Sequence, residues 1–561
     1  MDEIRQSLAS IGGVDALHRR LPMADDVGPL RKNRYVGMFY FLWNGEHTTD
    51  GPYDITEILK QHPDAPRDYN HPAWGGEGHM YHWGRPLFGY YFSRDPWVIR
   101  KHIEMLTIAG IDFLFFDTTN RHTYPEVVEV LLEWLDKYRM AGWPVPKIVY
   151  YTNTKSGETI QEVYEFLYKP GRYKDLWFYW DGKPLIIGHP DECSDEVREF
   201  FTIRQSQWPN EPPREWGWPW MDFERPQRVW RRPDGTGEVI NVSVAQHPQI
   251  FFGDSAFYGE TANRGRSFHD GQNDFAPGAV NWGYNFSEQW ERAREADPEV
   301  VLVTGWNEWI AGRFHGTKER PVRFVDTASQ EFSRDIEPMK DGHFDNYYMQ
   351  LVAEVRRYKG MEPLPQATPR KKIDLSDSFG QWRDVGPAYR DMPFGNLHRE
   401  HVGYGGVIYR DVTGRNAFDT MKVARDDENI YFYVKTEKPI VYDAATPWMW
   451  LLFGFEGREY APNWEGYQYI VNNIVLDNNT TVLQSSLGGF RWGKNAPVKY
   501  RMEGNEMHIA VPRSCVGLKP GQPFRMYFKW ADNTGSNENI EDFYLHGDTA
   551  PYGRFYFVYE G

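Results

Sequence analysis

Val300-Val301-Leu302-Val303-Thr304-Gly305-Trp306-Asn307-Glu308-Trp309 is an apolar run of strand length that ends on a carboxylate held between two indoles. A continuous rather than alternating apolar stretch is what a strand buried on both faces requires, and such strands belong to parallel sheets covered by helices. The residues before it support that reading. Positions 287–297 carry a helical pattern, and further upstream Val239–Val244, Lys183–Gly188, Lys147–Tyr151, Ile111–Asp117 and Tyr35–Leu42 repeat the same kind of apolar run. Helical patterns separate them. Asp95-Pro96 is an N-cap followed by proline at the first helical position, Ile99, Ile103 and Leu106 share one face, and Gly110 stops the helix. Residues 124–140 and 157–168 read the same way. Strand–helix alternation over about 320 residues predicts a (β/α)8 TIM-like barrel spanning 35–362, preceded by a polar arm at 1–34. Residues 205–235 and 250–285 are irregular and leave the fifth and seventh strands unplaced.

The pattern changes after residue 362. Pro363, Pro365 and Pro369 with Arg370-Lys371-Lys372 read as a linker over 363–372. Beyond it, Asn429–Val434, Trp448–Phe453, Glu506–Val511 and Phe524–Trp530 are short strands with turn signals, which predicts an all-β sandwich over 373–561. The fold class is therefore α/β plus all-β.

Composition narrows the function. The 561 residues carry a formal net charge of -16, which disfavours nucleic acid and anionic membranes as partners. No stretch of about 18 apolar residues predicts a membrane span. Aromatic residues reach 16%, and many sit among Asn, Asp, Glu, His and Gly rather than in apolar runs. Sugar rings stack their C–H faces on aromatic faces while their hydroxyls require polar neighbours, so an oligosaccharide or polysaccharide of plant or microbial origin is the expected partner. The same aromatics also serve as core fillers, given their large buried areas. Cys193 and Cys515 are too few for a disulfide framework and fall in different expected domains. Met1-Asp2-Glu3 lacks a basic and apolar leader, so the expectation is a secreted or periplasmic protein with its signal peptide removed, or else a cytoplasmic one.

In a (β/α) barrel the reacting groups stand at the C-terminal ends of the strands. That rule selects Glu46, Asp117 and Glu308, each directly after an apolar run. Asp254 and Glu260, in Phe252–Glu260, and Asp335 and Glu337, in Ser333-Arg334-Asp335-Ile336-Glu337-Pro338, are further candidates for the same mouth. Hydrolysis of a glycosidic bond needs two carboxyl groups, one protonated and one ionised. Glu308 is the first choice, since its flanking indoles raise a carboxyl pKa or stack a sugar; the competing reading pairs it with a buried arginine. Its partner is Asp117 or Asp254. Asp117 equally suits a sugar hydroxyl or Arg121, and Asp254 a loop cap. Substrate contacts are expected from Trp43, Glu46, Trp83, Asn120, Tyr151, His247, Arg264, Arg266, His269, Trp306 and Trp309. Arg264 and Arg266 suit a substrate carboxylate or sulfate, but neutralisation of Asp335 and Glu337 is favoured. His47, His71, His79, His82, His247 and His269 lack zinc-motif spacing, and no phosphate loop or nucleophile elbow occurs, so no catalytic metal and no cofactor are expected.

Thr304–Trp309 resembles the Trp-Asn-Glu-Trp segment of family 71 and family 99-like glycoside hydrolases, whose barrels act on α-linked glucans and mannans. The resemblance covers residues 35–360 and implies a glycosidase with Glu308 in a catalytic role. In family 99 a second catalytic Glu lies three residues after the first; here that position is Ala311, so only Glu308 carries over. Region 373–561 resembles the family 9 carbohydrate-binding fold at Asp426–Val434 and Pro512-Arg513-Ser514. That likeness implies an aromatic platform from Trp448, Trp450, Trp464, Trp492 and Trp530 and is compatible with a structural calcium; the alternative is that these indoles fill the core. A non-catalytic glycan-binding protein on a retired glycosidase barrel is the second functional reading. A metal-dependent hydrolase or lyase using the histidines is the third.

Overall fold

The structure is a computed structural model that describes residues 2–249, 251–259, 262–443, 445–457, 463–535 and 538–561. Among these, one ten-stranded sheet contains eight parallel strands in barrel order. They are β1 (Tyr35–Tyr40), β2 (Phe113–Thr118), β3 (Lys147–Thr152), β4 (Lys183–Gly188), β5 (Thr202–Gln207), β6 (Gly217–Pro219), β7 (Gly237–Ser243) and β8 (Val300–Thr304). β8 pairs back onto β1, with Val300 opposite Tyr35. The two strands that the sequence left unplaced therefore both precede residue 237. β6 is only three residues long, and Ile203 is the one apolar residue of β5, so neither shows a long apolar run. Segment 250–285 adds no barrel strand among the described residues.

The backbone ladder closes everywhere except between β6 and β7. Asn241 spans that gap with its side chain. Its Nδ2 donates to the carbonyls of Trp220 at 2.9 Å and Leu302 at 3.0 Å, and its Oδ1 accepts from the Asp222 N–H at 3.3 Å. A primary amide carries both donor and acceptor, so one residue replaces the missing rungs.

Side chains fill the barrel interior. From β1 onward, Phe39 and Phe41 point inward with Phe113, Phe115, Tyr151 and Leu302, and Phe39 stacks on Phe115 at 4.8 Å. Gly37 shares their face, where a Cβ would collide with the Phe113 ring. Val36, Met38 and Tyr40 point outward, under the helices. Helix α1 (Pro96–Ile108) is capped by Asp95, which accepts from the Trp97 N–H at 3.0 Å. The sequence shows one apolar face on α1, yet Arg100, Lys101, His102 and Glu104 are buried as well, because a second layer covers the helix.

That layer is a twelve-stranded antiparallel sheet, counted over the described residues. It folds back on itself so that Phe432 meets Phe453 at 5.2 Å and Phe528 at 6.2 Å. One apolar cluster runs without a break from the barrel helices into this sheet. The N-terminal arm joins it too: Ile11 and Gly12 pair with Phe557 and Tyr556. Residues 363–372 are likewise tied down, with the Thr368 N–H on the Gly386 carbonyl at 3.0 Å and the Lys371 N–H on the Arg425 carbonyl at 2.8 Å. Arm, barrel and sheet thus pack as one unit. Trp448, Trp450, Trp464 and Trp530 are buried. Cys193 and Cys515 are both free.

The loops after β1 and β8 build a four-stranded sheet on the mouth side, from Tyr53–Asp54, Met80–His82, Ile310–His315 and Val322–Phe324. Ala311 packs there with Trp74, Tyr81, Val322 and Phe324. A hairpin of the large C-terminal region reaches the same end, where the Gly45 N–H donates to Tyr404 Oη at 2.7 Å.

Asn241→Ala leaves the buried Asp222 N–H without its partner and takes one donor from the Trp220 carbonyl, which keeps the Thr304 hydroxyl. The expected loss is about 2–3 kcal/mol, read as a lower thermal midpoint. An unchanged midpoint contradicts the bridging role.

Candidate active site

A cavity of about 250 Å³ opens at the C-terminal ends of the strands. β1 and its loop contribute Phe39, Phe41 and Trp43; the turn after β2 contributes Asp117, Thr119 and Asn120. Trp208 and Trp220 form the wall after β5 and β6, His247 follows β7, and Glu308 follows β8. Asp326 and Arg334 enter from the chain beyond the small mouth-side sheet.

Local sequence explains how Glu308 is aimed. β8 ends at Thr304, but pairing with β1 continues: the Trp306 N–H donates to the Phe39 carbonyl at 2.9 Å. Asn307 then bonds both backbone groups of Phe41, accepting from its N–H at 2.9 Å and donating to its carbonyl at 3.0 Å. Trp309 stacks on Trp83 at 4.6 Å, and its Nε1 donates to Glu337 at 2.5 Å. Trp83 Nε1 donates to Asp335 Oδ2 at 3.0 Å and to the Glu308 carbonyl at 3.2 Å, while the Glu308 N–H donates to Asp335 Oδ1 at 2.5 Å. Trp306, Asn307 and Trp309 are therefore supports, and Glu308 alone of the four faces the cavity.

Arg334, 1% exposed, sits against that carboxylate. Its Nε donates to Glu308 Oε2 at 3.1 Å and its Nη2 contacts the same oxygen. Nη2 also donates to Asp326 Oδ1 at 3.3 Å, and Nη1 donates to His247 Nδ1 at 2.8 Å. The guanidinium stacks over Trp220, 5.3 Å from the ring centroid. Burial pushes the Glu308 carboxyl well above the usual range; Arg334 opposes this, and the charges of Asp326 and Asp335 reinforce it. Arg334 is itself held above its ordinary value: burial lowers it, but Glu308 and Asp326 outweigh that. Arginine does not shed its proton in a folded protein, so Glu308 is the member of the pair whose protonation changes. Burial, with Arg334 adding to it, lowers the His247 pKa well below its ordinary value. A neutral imidazole that accepts at Nδ1 carries its proton on Nε2. Burial also raises Asp117, against two hydrogen bonds from Thr119 to its Oδ1.

Of the residues singled out in the sequence, the structure brings Glu308, Asp117, Trp43, Asn120 and His247 to this cavity. Trp83, Trp306 and Trp309 lie fully buried away from its lining. Tyr151 is sealed inside the barrel, donating to the Trp218 carbonyl at 2.7 Å. Glu46 is gripped by Arg94 through two 2.8 Å bonds. Asp254 is paired with Arg323 at 2.9 Å and Arg320 at 3.3 Å, off the cavity. Arg264 donates to the Phe223 carbonyl at 2.8 Å, and His269 bonds the Ser267 carbonyl at 2.9 Å. Arg266, fully buried, braces the 330–335 turn by donating to the carbonyls of Gln330 and Asp335 at 2.7 Å each. Burial raises the Asp335 carboxyl, and the charge of Arg266 opposes that rise without cancelling it. Glu337 lies under the floor with Tyr91, His102 and Trp309. Glu260 falls outside the described residues.

Trp208, Trp220, Asp326 and Arg334 escaped the sequence reading. The two indoles lie in the stretch where no strand was legible, and Asp326 follows a strand that belongs to the accessory sheet rather than the barrel. Among the described residues, His62, Asp64 and His71 form the one group of such side chains with ligand atoms close enough for an ion, far along the loop after β1. A larger cavity of about 910 Å³ lies at the N-terminal ends of the strands, around Tyr35, Trp143 and Lys147. There Asp112 is neutralised by Lys359 at 2.7 Å, and that end of a barrel serves stability rather than chemistry.

No family model matches the chain, and no curated protein matches it. Two solved structures of the GH99 endo-alpha-mannosidase from Bacteroides thetaiotaomicron, one of them in complex with bis-tris-propane, overlap 58% of this chain and 97% of their own. Their identities are 14% and 15%, with TM-scores of 0.35 and 0.36. A glycoside hydrolase-like protein overlaps 59% of this chain and 96% of its own at 12% identity and a TM-score of 0.35. Likeness of that size leaves the chemistry to be read from the side chains. No described helix is long and apolar enough to cross a membrane.

Asp335, under the site, supplies a pH test. Burial pushes its carboxyl from 3.8 up to about 7. The folded protein then holds this proton more tightly than the unfolded chain does, so the stabilisation is present at low pH and is lost as pH rises through that window. The thermal midpoint of Asp335→Asn should fall less between about pH 4 and about pH 8 than that of the parent protein. Parallel curves contradict the shift.

Proposed function

We propose that this chain is a glycoside hydrolase in which Glu308 transfers the proton and a second carboxyl of the same cavity completes the reaction. The observation that carries the reading is the convergence of Glu308, Asp117 and Asp326 on one cavity walled by Trp43, Trp208 and Trp220. Indole faces suit the apolar faces of a sugar ring. Asn120, Thr119 and the Nε2–H of neutral His247 supply hydrogen-bonding groups for its hydroxyls. A carboxyl lifted by burial holds its proton to higher pH than an exposed one and can give it to the glycosidic oxygen as the C1–O bond breaks. The substrate class is a neutral oligosaccharide or polysaccharide. An anionic sugar meets an arginine already engaged by Glu308 and Asp326, which disfavours it.

The grip of Arg334 on Glu308 favours one second reading, a glycan-binding protein without turnover. Hydrolysis separates the two. Glu308→Gln keeps the shape of the side chain and removes the transferable proton, so it should cut kcat by at least about 10²–10⁴-fold with an unchanged thermal midpoint. Activity of the parent should decline as pH rises through the lifted Glu308 pKa, because the protonated form is consumed. A Glu308→Gln protein as active as the parent sinks the assignment. A parent that binds glycans but cleaves none establishes the second reading.

A further inference from the structure

We infer that Asp326, a residue outside the barrel strands, is the second reacting carboxyl, and that Arg334 positions it against Glu308. The inference rests on the glycosidase reading and names its missing partner. Position 311, where the resembled family carries its second Glu, is an alanine packed among Trp74, Tyr81 and Phe324. The carboxyls that do line the cavity are Glu308, Asp117 and Asp326.

Geometry separates the last two. Asp117 Oδ1 is occupied by the Thr119 N–H at 3.1 Å and the Thr119 hydroxyl at 2.7 Å. The Asp326 carboxylate has no hydrogen-bond partner besides Arg334 among the described residues, and its side chain is 29% exposed. Arg334 Nη2 touches both Glu308 Oε2 and Asp326 Oδ1. One nitrogen shared by two oxygens keeps those two oxygens within about 6 Å of each other, and carboxyls that act by direct attack stand about 5–5.5 Å apart. A close pair attacks the sugar directly. The negative charge of Asp326 also helps to raise both Glu308 and Asp117, which favours the proton on the acid.

The step balances as follows. An Asp326 oxygen bonds C1 as the C1–O bond breaks, and the leaving oxygen takes that electron pair together with the Glu308 proton. Water then loses a proton to Glu308 and adds to C1, and its attack releases the Asp326 carboxylate. Arg334 touches neither sugar nor water in this scheme and acts only by holding the two carboxyls.

The test uses the full chain on a panel of 4-nitrophenyl α- and β-glycosides and free oligosaccharides, with Glu308→Gln, Asp117→Asn, Asp326→Asn and Asp326→Gly, each checked for an unchanged thermal midpoint. Asp326→Asn and Asp326→Gly should both lose about 10³-fold or more in kcat. Sodium azide should restore Asp326→Gly alone, with a glycosyl azide of inverted configuration as product, a readout that a merely structural role does not move. Asp326→Asn within about threefold of the parent, while Glu308→Gln is inactive, overturns the inference and leaves the glycosidase reading standing. Loss of activity in Asp326→Gly with no azide product overturns the attacking role. A parent that hydrolyses nothing in the panel overturns the glycosidase reading itself.

Discussion

A guanidinium that cannot release its proton is buried at the mouth of the barrel, and the surrounding chemistry follows from the need to answer its charge. Arg334 is met by Glu308 and Asp326 on one side, by a neutral His247 acceptor on the other, and by the face of Trp220. Each contact holds the buried guanidinium through a charge-assisted hydrogen bond or an aromatic face. The group is therefore fixed in place, and with it the distance between two carboxyls that face a common cavity.

The fold supplies the rigidity. A barrel packed with Phe39, Phe115 and Tyr151 gives an unyielding floor, and the Trp83–Trp309 stack with Asp335 and Glu337 ties the Glu308 backbone to it. The C-terminal sheet shares one apolar cluster with the barrel and covers α1. The hairpin at Tyr404 reaches the loop at Gly45, so the C-terminal region also braces the mouth.

Much of the barrel was legible because six of its strands are apolar runs that periodicity detects. β5 and β6 were not, since Thr202–Gln207 is mostly polar and Gly217–Pro219 is too short to show a pattern. The strand-end rule found Glu308 and Asp117 because each directly follows a barrel strand. It had no purchase on Asp326 or Arg334, which reach the cavity from loops whose path depends on the accessory sheet. Flanking indoles suggested stacking platforms at Trp306 and Trp309. Both are buried instead, Trp306 against Tyr348 and Trp309 against Trp83. The cavity's own indoles, Trp208 and Trp220, come from the segment with no readable period. In the C-terminal half the strands were visible, and the backbone of 363–372 is bonded to Gly386 and Arg425 of that half.

The configuration of the first product, followed by proton NMR of the anomeric signals during hydrolysis, tests the central claim most directly. Two carboxyls held on one guanidinium nitrogen predict a product with the same anomeric configuration as the substrate, before mutarotation mixes the forms. An initial product of the opposite configuration would mean that a water stands between the reacting pair, and that the carboxyls bridged by Arg334 are not that pair.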